Sequence, residues 1–231
     1  MSNIEDYLDA KHHRTPEYSD EASLVDAYKN TLQVYNDASF AEMYFRKWGS
    51  DLPRTQLDAF AQLIGASGII LDAGCGPGHH TQYLYERGQI AVGLDLSLGA
   101  LRIATSHFAG PCFVQCDMLR TPFADSAFAG IWACASLIHL PEHLLSIQLS
   151  EFRRLLTLGG VLALTLTVGQ QGHFDSFGRF FQSSPDPKKL SDHLTSIGMM
   201  VDHRESRLLT KTTEGGNQTV EWVTLTARKV T

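Results

Sequence analysis

Cysteine is scarce: four in 231 residues, at Cys75, Cys112, Cys116 and Cys134. That excludes a disulfide scaffold for a chain of this size. Cys112 and Cys116 are spaced C-x3-C, but no matching Cys/His pair follows at zinc spacing, so no metal site is expected. Basic residues are also in deficit, 19 Lys and Arg against 25 Asp and Glu, for a formal net charge of −6. Broad non-specific nucleic-acid binding needs clustered Lys and Arg to displace counterions, and is not expected. The start, MSNIEDYLDAKHHR, has no basic region followed by an apolar core, so no secretory signal is expected. One stretch, Leu155–Phe174, has no charged residue and is long enough to span a bilayer. It is interrupted by Thr157, Gly159, Gly160, Thr165, Thr167, Gln170, Gln171 and Gly172, and reads as a buried strand, Val161–Thr167, followed by a polar loop. No membrane association is expected. Three of the four cysteines lie in or beside apolar runs and read as buried thiols in a reducing compartment, the cytoplasm.

What is present is an ordinary globular composition, 43% hydrophobic, sized for one domain with a short extension. The first 20 residues are polar and should be loosely held. From Glu21 to Trp48, Leu24, Tyr28, Leu32, Tyr35, Phe40, Tyr44, Phe45 and Trp48 recur at helical spacing, and predict two helices broken near Asn36-Asp37. Asp51 is placed to cap a third helix with Pro53 in its first turn. The pattern then alternates. Apolar runs at Ile69–Leu71, Ile90–Leu94, Cys112–Cys116, Phe128–Ala133 and Val161–Thr167 are separated by helical segments at Thr81–Arg87, Ser97–His107 and Leu144–Leu156, with Pro141 at the last one's start. Alternating strands and helices predict a doubly wound α/β domain with a parallel sheet. A helix over roughly Asp186–Ile197 leads to extended segments near Met199–Ser206 and Thr219–Ala227, which can pair across Glu214-Gly215-Gly216-Asn217. The domain boundaries drawn here are a helical extension or lid over 1–50 and the main domain over 51–231.

The chemistry-bearing segment is Leu71-Asp72-Ala73-Gly74-Cys75-Gly76-Pro77-Gly78, between the first strand and a helix. In open α/β sheets, ligands bind beyond the carboxyl ends of the strands. Its spacing is G-x-G-x-G, unlike the G-x-G-x-x-G of dinucleotide sites, and it lacks the Gly-Lys-Ser/Thr of a phosphate loop. Asp72, Asp95 and Asp117 close three successive strands at intervals of 23 and 22 residues, and should reach one rim. An acid after the second strand can accept both ribose hydroxyls. One after the third can accept from an exocyclic amine. An acid beside the glycine loop repels pyrophosphate and suits a cationic ligand.

Residues 71–78, Leu94-Asp95-Leu96-Ser97 and Cys116-Asp117-Met118 resemble successive motifs of the class I S-adenosylmethionine-dependent methyltransferases, in the small-domain group with the LDxGCGxG signature. The similarity runs from about Tyr35 to the end and is strongest over 69–140. Pro122–Phe128 resembles that group's approach to strand four, with Ala129 where an Asp is usual. The resemblance implies a Rossmann-like seven-stranded mixed sheet with an antiparallel last strand, preceded by N-terminal helices. It implies S-adenosylmethionine as cofactor and S-adenosylhomocysteine as product. Gly74, Gly76 and Gly78, with Cys75 between them, would wrap the amino-acid end of the cofactor. Asp72 would orient its amino group, and Asp95 would hold the ribose with Leu96 against the adenine. Asp117 would accept from the adenine amine with Met118 on the ring. His80 would touch the carboxylate end, and Ser136 would lie beside the cofactor.

The implied reaction is methyl transfer to a small-molecule acceptor. His139, where acceptors sit in the family, reads either as a base or as a packing residue before Pro141. His79 reads as solvent-facing. Tyr35 and Tyr44 read as helix core or as a lid over the cofactor and acceptor. Arg179, among Phe174, Phe177, Phe180 and Phe181, reads as a substrate cover or as part of a hydrophobic plug. Three rivals stand beside this reading: a tRNA or protein methyltransferase, a dinucleotide oxidoreductase, and a non-catalytic protein that binds the cofactor or its product.

Overall fold

The computed structural model describes residues 21–49, 51–65, 68–140, 142–168, 173–174, 177–181, 187–213 and 216–230. The helices are α1 (Glu21–Asn36), α2 (Ala38–Trp48), α3 (Arg54–Ile64), α4 (His79–Glu86), α5 (Leu98–His107), α6 (Glu142–Leu155) and α7 (Pro187–Ser196). The strands are β1 (Ile69–Ala73), β2 (Ile90–Asp95), β3 (Cys112–Gln115), β4 (Phe128–Cys134), β5 (Leu156–Val168), β6 (His173–Phe174), β7 (Phe180–Phe181), β8 (Met199–Thr213) and β9 (Gly216–Lys229). The expected turn at Glu214-Gly215, the helix start at Pro141 and the first 20 residues lie outside the described residues.

Seven strands form one sheet in the order β3-β2-β1-β4-β5-β9-β8. β1 to β5 are mutually parallel, while β9 runs antiparallel to both β5 and β8. The doubly wound mixed sheet is therefore present, and its antiparallel member, β9, is also the last in sequence. β6 and β7 make a separate two-stranded ribbon after β5.

Side-chain alternation divides the core between the two faces of the sheet. Leu71, Ala73, Ile131, Ala133, Leu162 and Leu164 pack on Leu149, Phe152 and Leu155 of α6 and on Leu190 and Leu194 of α7. Ile70, Ala91, Trp132, Val161 and Ala163 pack on Leu57 and Phe60 of α3 and on Tyr83 and Leu84 of α4. Helices on both faces bury most of β1, β4 and the middle of β5, which is why those strands read as unbroken apolar runs.

Two local expectations are corrected. α3 is capped at Pro53 without a side-chain hydrogen bond, and Asp51 does not cap it. Nor are the cysteines uniformly buried. All four are free thiols, and Cys75 is buried while Cys112 is exposed. Cys112 begins β3, the outermost strand, which has a neighbour on one side only. Asp37, as expected of the α1–α2 break, caps α2 by accepting from the Phe40 amide at 2.8 Å.

Candidate functional site

The loop after β1 turns through positive φ at Gly74 (76°), Gly76 (52°) and Gly78 (85°), a region open to glycine without strain. Its amides are spent internally. Gly74 and Cys75 donate to Leu94 O at 2.7 and 2.9 Å, Gly78 donates to Cys75 O at 3.0 Å, and Gly76 donates to Asp95 Oδ2 at 2.7 Å. A phosphate cradle needs such amides turned outward. This loop turns them inward and sets a carboxylate beside them. The three glycines also differ in role. A Cβ on Gly78 would lie 2.8 Å from the Phe113 ring, so that residue serves helix–strand packing. A Cβ on Gly76 would meet nothing within 4 Å, so the loop faces open space there. A Cβ on Gly74 would lie 2.3 Å from Ser136 Cβ.

The three acids do not share one rim as equals. Asp72 is the penultimate residue of β1 and has the parity of Ile70, so its side chain turns toward α4. It is buried and accepts from Thr81 Oγ1 at 2.6 Å. Burial raises its pKa to about 7, against the opposing pull of the Thr81 hydrogen bond. Its carboxyl is held beneath the loop by Thr81. The Cys75 thiol is also turned inward, where a Cβ on Gly93 would meet it at 2.9 Å. Asp95, the last residue of β2, accepts from Gly76 and from the Ser97 amide at 2.8 Å, with lone pairs left over. Burial raises its pKa, opposed by those backbone hydrogen bonds. Asp117, two residues past β3, accepts from the Leu119 amide at 2.9 Å and closes the turn carrying Met118.

Residues not foreseen complete this side. Gln148 of α6, fully buried, donates to Met118 O at 2.9 Å and fixes that turn. Tyr28 of α1 packs against the same core as Met118, and burial together with the charges of Asp117 and Asp95 raises its pKa. Tyr28 and Tyr35 are two helical turns apart, a spacing that could have flagged Tyr28. The Ser136 hydroxyl, buried against Gly74, has no hydrogen-bond partner among the described residues. Ala135 before it takes a positive φ of 56°, held by its amide donating to Thr165 O at 2.8 Å. Strain of this kind concentrates at functional sites. The orphaned Ser136 hydroxyl, the open face of Gly76, and the carboxylates of Asp95 and Asp117 form a set rich in acceptors. Such a set fits a cationic nucleoside such as S-adenosylmethionine, and Leu96 lies beside it, its carbonyl accepting from Gln115 Nε2 at 3.2 Å.

On the other side of Ser136, four predicted residues come together. Tyr35 Oη lies 3.0 Å from His139 Nε2, and Arg179 Nη1 donates to the same hydroxyl at 2.8 Å. Tyr35 and Tyr44 meet edge to face at 5.7 Å. The Arg179 guanidinium sits among the rings of Tyr35, Phe40, Tyr44 and Phe177 at 5.1–5.9 Å. The side chains of Phe174, Phe180 and Phe181 lie outside the described residues. Burial raises the pKa of both tyrosines, so they are neutral phenols. Arginine can only donate. Tyr35 accepts from it, and the Tyr35 hydroxyl shares a second hydrogen bond with His139 Nε2 whose donor depends on the imidazole tautomer.

The two histidines after the loop sit in different surroundings. His79, expected to face solvent, is half-buried; its ring packs on Phe45 at 4.4 Å, and desolvation lowers its pKa. His80 Nδ1 accepts from the buried Trp132 indole at 3.2 Å, and burial lowers its pKa to about 4. It is neutral near pH 7, with its proton on Nε2.

Residues 70–160 match the family described as "Methyltransferase domain". That match, together with the fold shared with solved S-adenosylmethionine-dependent methyltransferases, makes this stretch similar to a methyltransferase domain. The matched stretch runs from β1 to the start of β5 and includes the glycine loop, Asp95, Asp117, Ser136 and His139. Malonyl-[acyl-carrier protein] O-methyltransferase of Pseudescherichia vulneris is 35% identical over 96 residues, 42% of this chain and 38% of that protein. The chain matches 38% to 56% of the length of such relatives. Among solved structures, Burkholderia thailandensis 1,6-didemethyltoxoflavin-N1-methyltransferase, with its substrate and S-adenosylhomocysteine bound, aligns with TM-score 0.64 at 19% identity. That alignment covers 96% of this chain and 93% of that one. Haemonchus contortus phosphoethanolamine N-methyltransferase 2, in complex with S-adenosyl-L-methionine, aligns with TM-score 0.67 at 15% identity, over 89% of this chain and 60% of that one. These structural likenesses extend the methyltransferase fold across the N-terminal helices as well as the sheet. Among the described residues, no helix is long and apolar enough to cross a membrane.

Proposed function

We propose that the protein is an S-adenosylmethionine-dependent methyltransferase acting on a small-molecule acceptor. The observation that carries this reading is the glycine loop, whose amides are consumed by Leu94 O, Asp95 and Cys75 O. A pyrophosphate would find none of the amides of Gly74, Cys75, Gly76 and Gly78 free, whereas a cationic ligand finds acceptors. Asp95 would hold the ribose hydroxyls, and Asp117 and Met118 would border the adenine. Ser136 would face the amino-acid end. Bound there, the cofactor supplies an activated methyl group on a sulfonium. The protein's task is alignment and exclusion of water, the main source of rate for an in-line displacement.

The acceptor side is formed by Tyr35, Tyr44, His139 and Arg179. With the imidazole proton on Nδ1, a proton leaving an acceptor near Tyr35 would pass to its oxygen as the tyrosine's own proton moves to His139 Nε2. His139 thus acts through Tyr35, and an acceptor that arrives ionised needs neither. Residues 1–50, which include α1 and α2, are read as a lid over the main domain at 51–231. Supporting that division, α1 and α2 supply Tyr28, Tyr35 and Tyr44 to one side of the site and no strand to the sheet. The four free thiols suit a reducing compartment such as the cytoplasm. Calorimetry with S-adenosylhomocysteine and with NAD tests the cofactor assignment. Micromolar binding of the first and none of the second is expected; the reverse result would overturn it.

A further inference from the structure

The loop that follows Asp95 does a second job. Ser97 caps α5, its hydroxyl accepting from the Ala100 amide at 3.0 Å. That hydroxyl's one hydrogen faces Tyr35 O at 2.9 Å and Asn36 Oδ1 at 3.1 Å. The next free amide of the helix, Gly99 N, is capped from outside: it donates to Asn36 Oδ1 at 3.0 Å. Gly99 is buried, and a Cβ there would lie 2.6–2.8 Å from the backbone O, Cα and C of Asn36. The α1–α2 junction is therefore seated backbone to backbone in a notch that only glycine leaves open. The residue before Asn36 is Tyr35, whose hydroxyl reaches His139 and Arg179. At the other end of the same loop, the Ser97 amide holds Asp95 Oδ1.

We propose that Asn36 is a positioning residue, and that its seat on Gly99 couples the ligand held at Asp95 to closure of α1 and α2 over the acceptor site. The inference rests on the reading of Asp95 as the ribose acceptor. A ribose on Asp95 would bear on the carboxylate that holds the Ser97 amide, and residues 97–99 present Ser97 Oγ and the Gly99 amide to the lid. By linkage, a seated lid tightens the cofactor to the same degree. The seat also fixes where Tyr35 hangs, and so where the acceptor's proton would go.

Hydrogen exchange of the full chain, with and without S-adenosylhomocysteine, tests this in the wild type and in Gly99→Ala. Gly99 lies inside α5 at an ordinary helical φ, so alanine favours the helix itself while its Cβ lifts the junction. Without ligand, Gly99→Ala should speed exchange over residues 28–48 about tenfold, the scale of one or two lost hydrogen bonds, and leave β1, β2 and β4 unchanged. S-adenosylhomocysteine should slow exchange over residues 28–48 in the wild type but not in Gly99→Ala, whose Kd should rise about fivefold or more. Asn36→Ala should share the defect, and Asn36→Asp, which keeps an acceptor for the Gly99 amide, should restore the coupling. Wild-type exchange in ligand-free Gly99→Ala, or equal ligand protection of its lid, would overturn the proposal. If the wild type bound no S-adenosylhomocysteine, the cofactor assignment and the coupling would both fall, while the ligand-free comparison would still judge the seat.

Discussion

Asp95→Asn separates a ligand-binding acid from a loop strut. The carboxylate accepts from Gly76 on Oδ2 and from Ser97 on Oδ1. An amide has one accepting oxygen, so its NH2 must face one of those two amides, donor against donor. Leaving one amide without a partner should cost about 1–3 kcal/mol of stability. At about 2–4 °C per kcal/mol for a chain of this length, Tm should fall by about 2–12 °C. If Asp95 also holds ribose hydroxyls, the variant forfeits one charge-assisted hydrogen bond, about 1.5–3 kcal/mol. That amounts to a Kd for S-adenosylhomocysteine about 10- to 150-fold higher. Titration calorimetry measured below the variant's melting transition reads the second effect apart from the first. A lowered Tm with an unchanged Kd would refute the ribose role and leave Asp95 as a strut between Gly76 and Ser97. Asp72→Asn, at the buried carboxyl engaged with Thr81, should leave the Kd within about twofold.

Gly74→Ala meets Ser136 at 2.3 Å on a backbone at φ 76°, whereas Gly76→Ala meets nothing within 4 Å at φ 52°. The first should cost about 2–5 kcal/mol in overpacking and strain and the second about 1–2, as read by urea denaturation; equal losses would contradict the packing of Ser136 under the loop. Two buried groups should pull the pH dependence of stability in opposite directions. His80, with a folded pKa of about 4 against an ordinary 6.5, contributes about 3 kcal/mol that is present above pH 6.5 and lost as pH falls toward 4. Asp72, raised to about 7 from 3.8, works oppositely: its contribution of about 4 kcal/mol is present below pH 3.8 and lost as pH rises through 7. Between pH 7 and 5 the wild type should stay nearly level, and His80→Gln should gain stability; a His80→Gln profile parallel to wild type would contradict these assignments. With an acceptor that must lose a proton, Tyr35→Phe and His139→Gln should each lower kcat by about 10²-fold or more. Undiminished turnover in His139→Gln would mark that residue as structural.

Most of the sheet was legible because its central strands are largely buried and therefore read as unbroken apolar runs, and the runs at β1, β2 and β3 lead to Asp72, Asp95 and Asp117. What period and spacing could not show was side-chain parity at a strand's end. Asp72 looks equivalent to Asp95 in sequence, yet it stands one residue short of its strand's end and turns beneath the loop to Thr81. The acceptor cluster was legible as candidates but not as a group, because 104 residues separate Tyr35 from His139 and 144 separate it from Arg179. Asn36 was visible only as the break between two helices. Its role depends on a missing side chain, that of Gly99, more than 60 residues away, and a glycine in a helix's first turn carries no signal by itself. Gln148 was hidden for a similar reason: on an amphipathic helix a polar residue reads as solvent-facing, and here it is fully buried under Met118. Local propensity therefore locates the strands and their rim. How the carboxyls at that rim are held is decided by hydrogen bonds that sequence spacing does not show: Gly76 and Ser97 hold Asp95, and Thr81 holds Asp72.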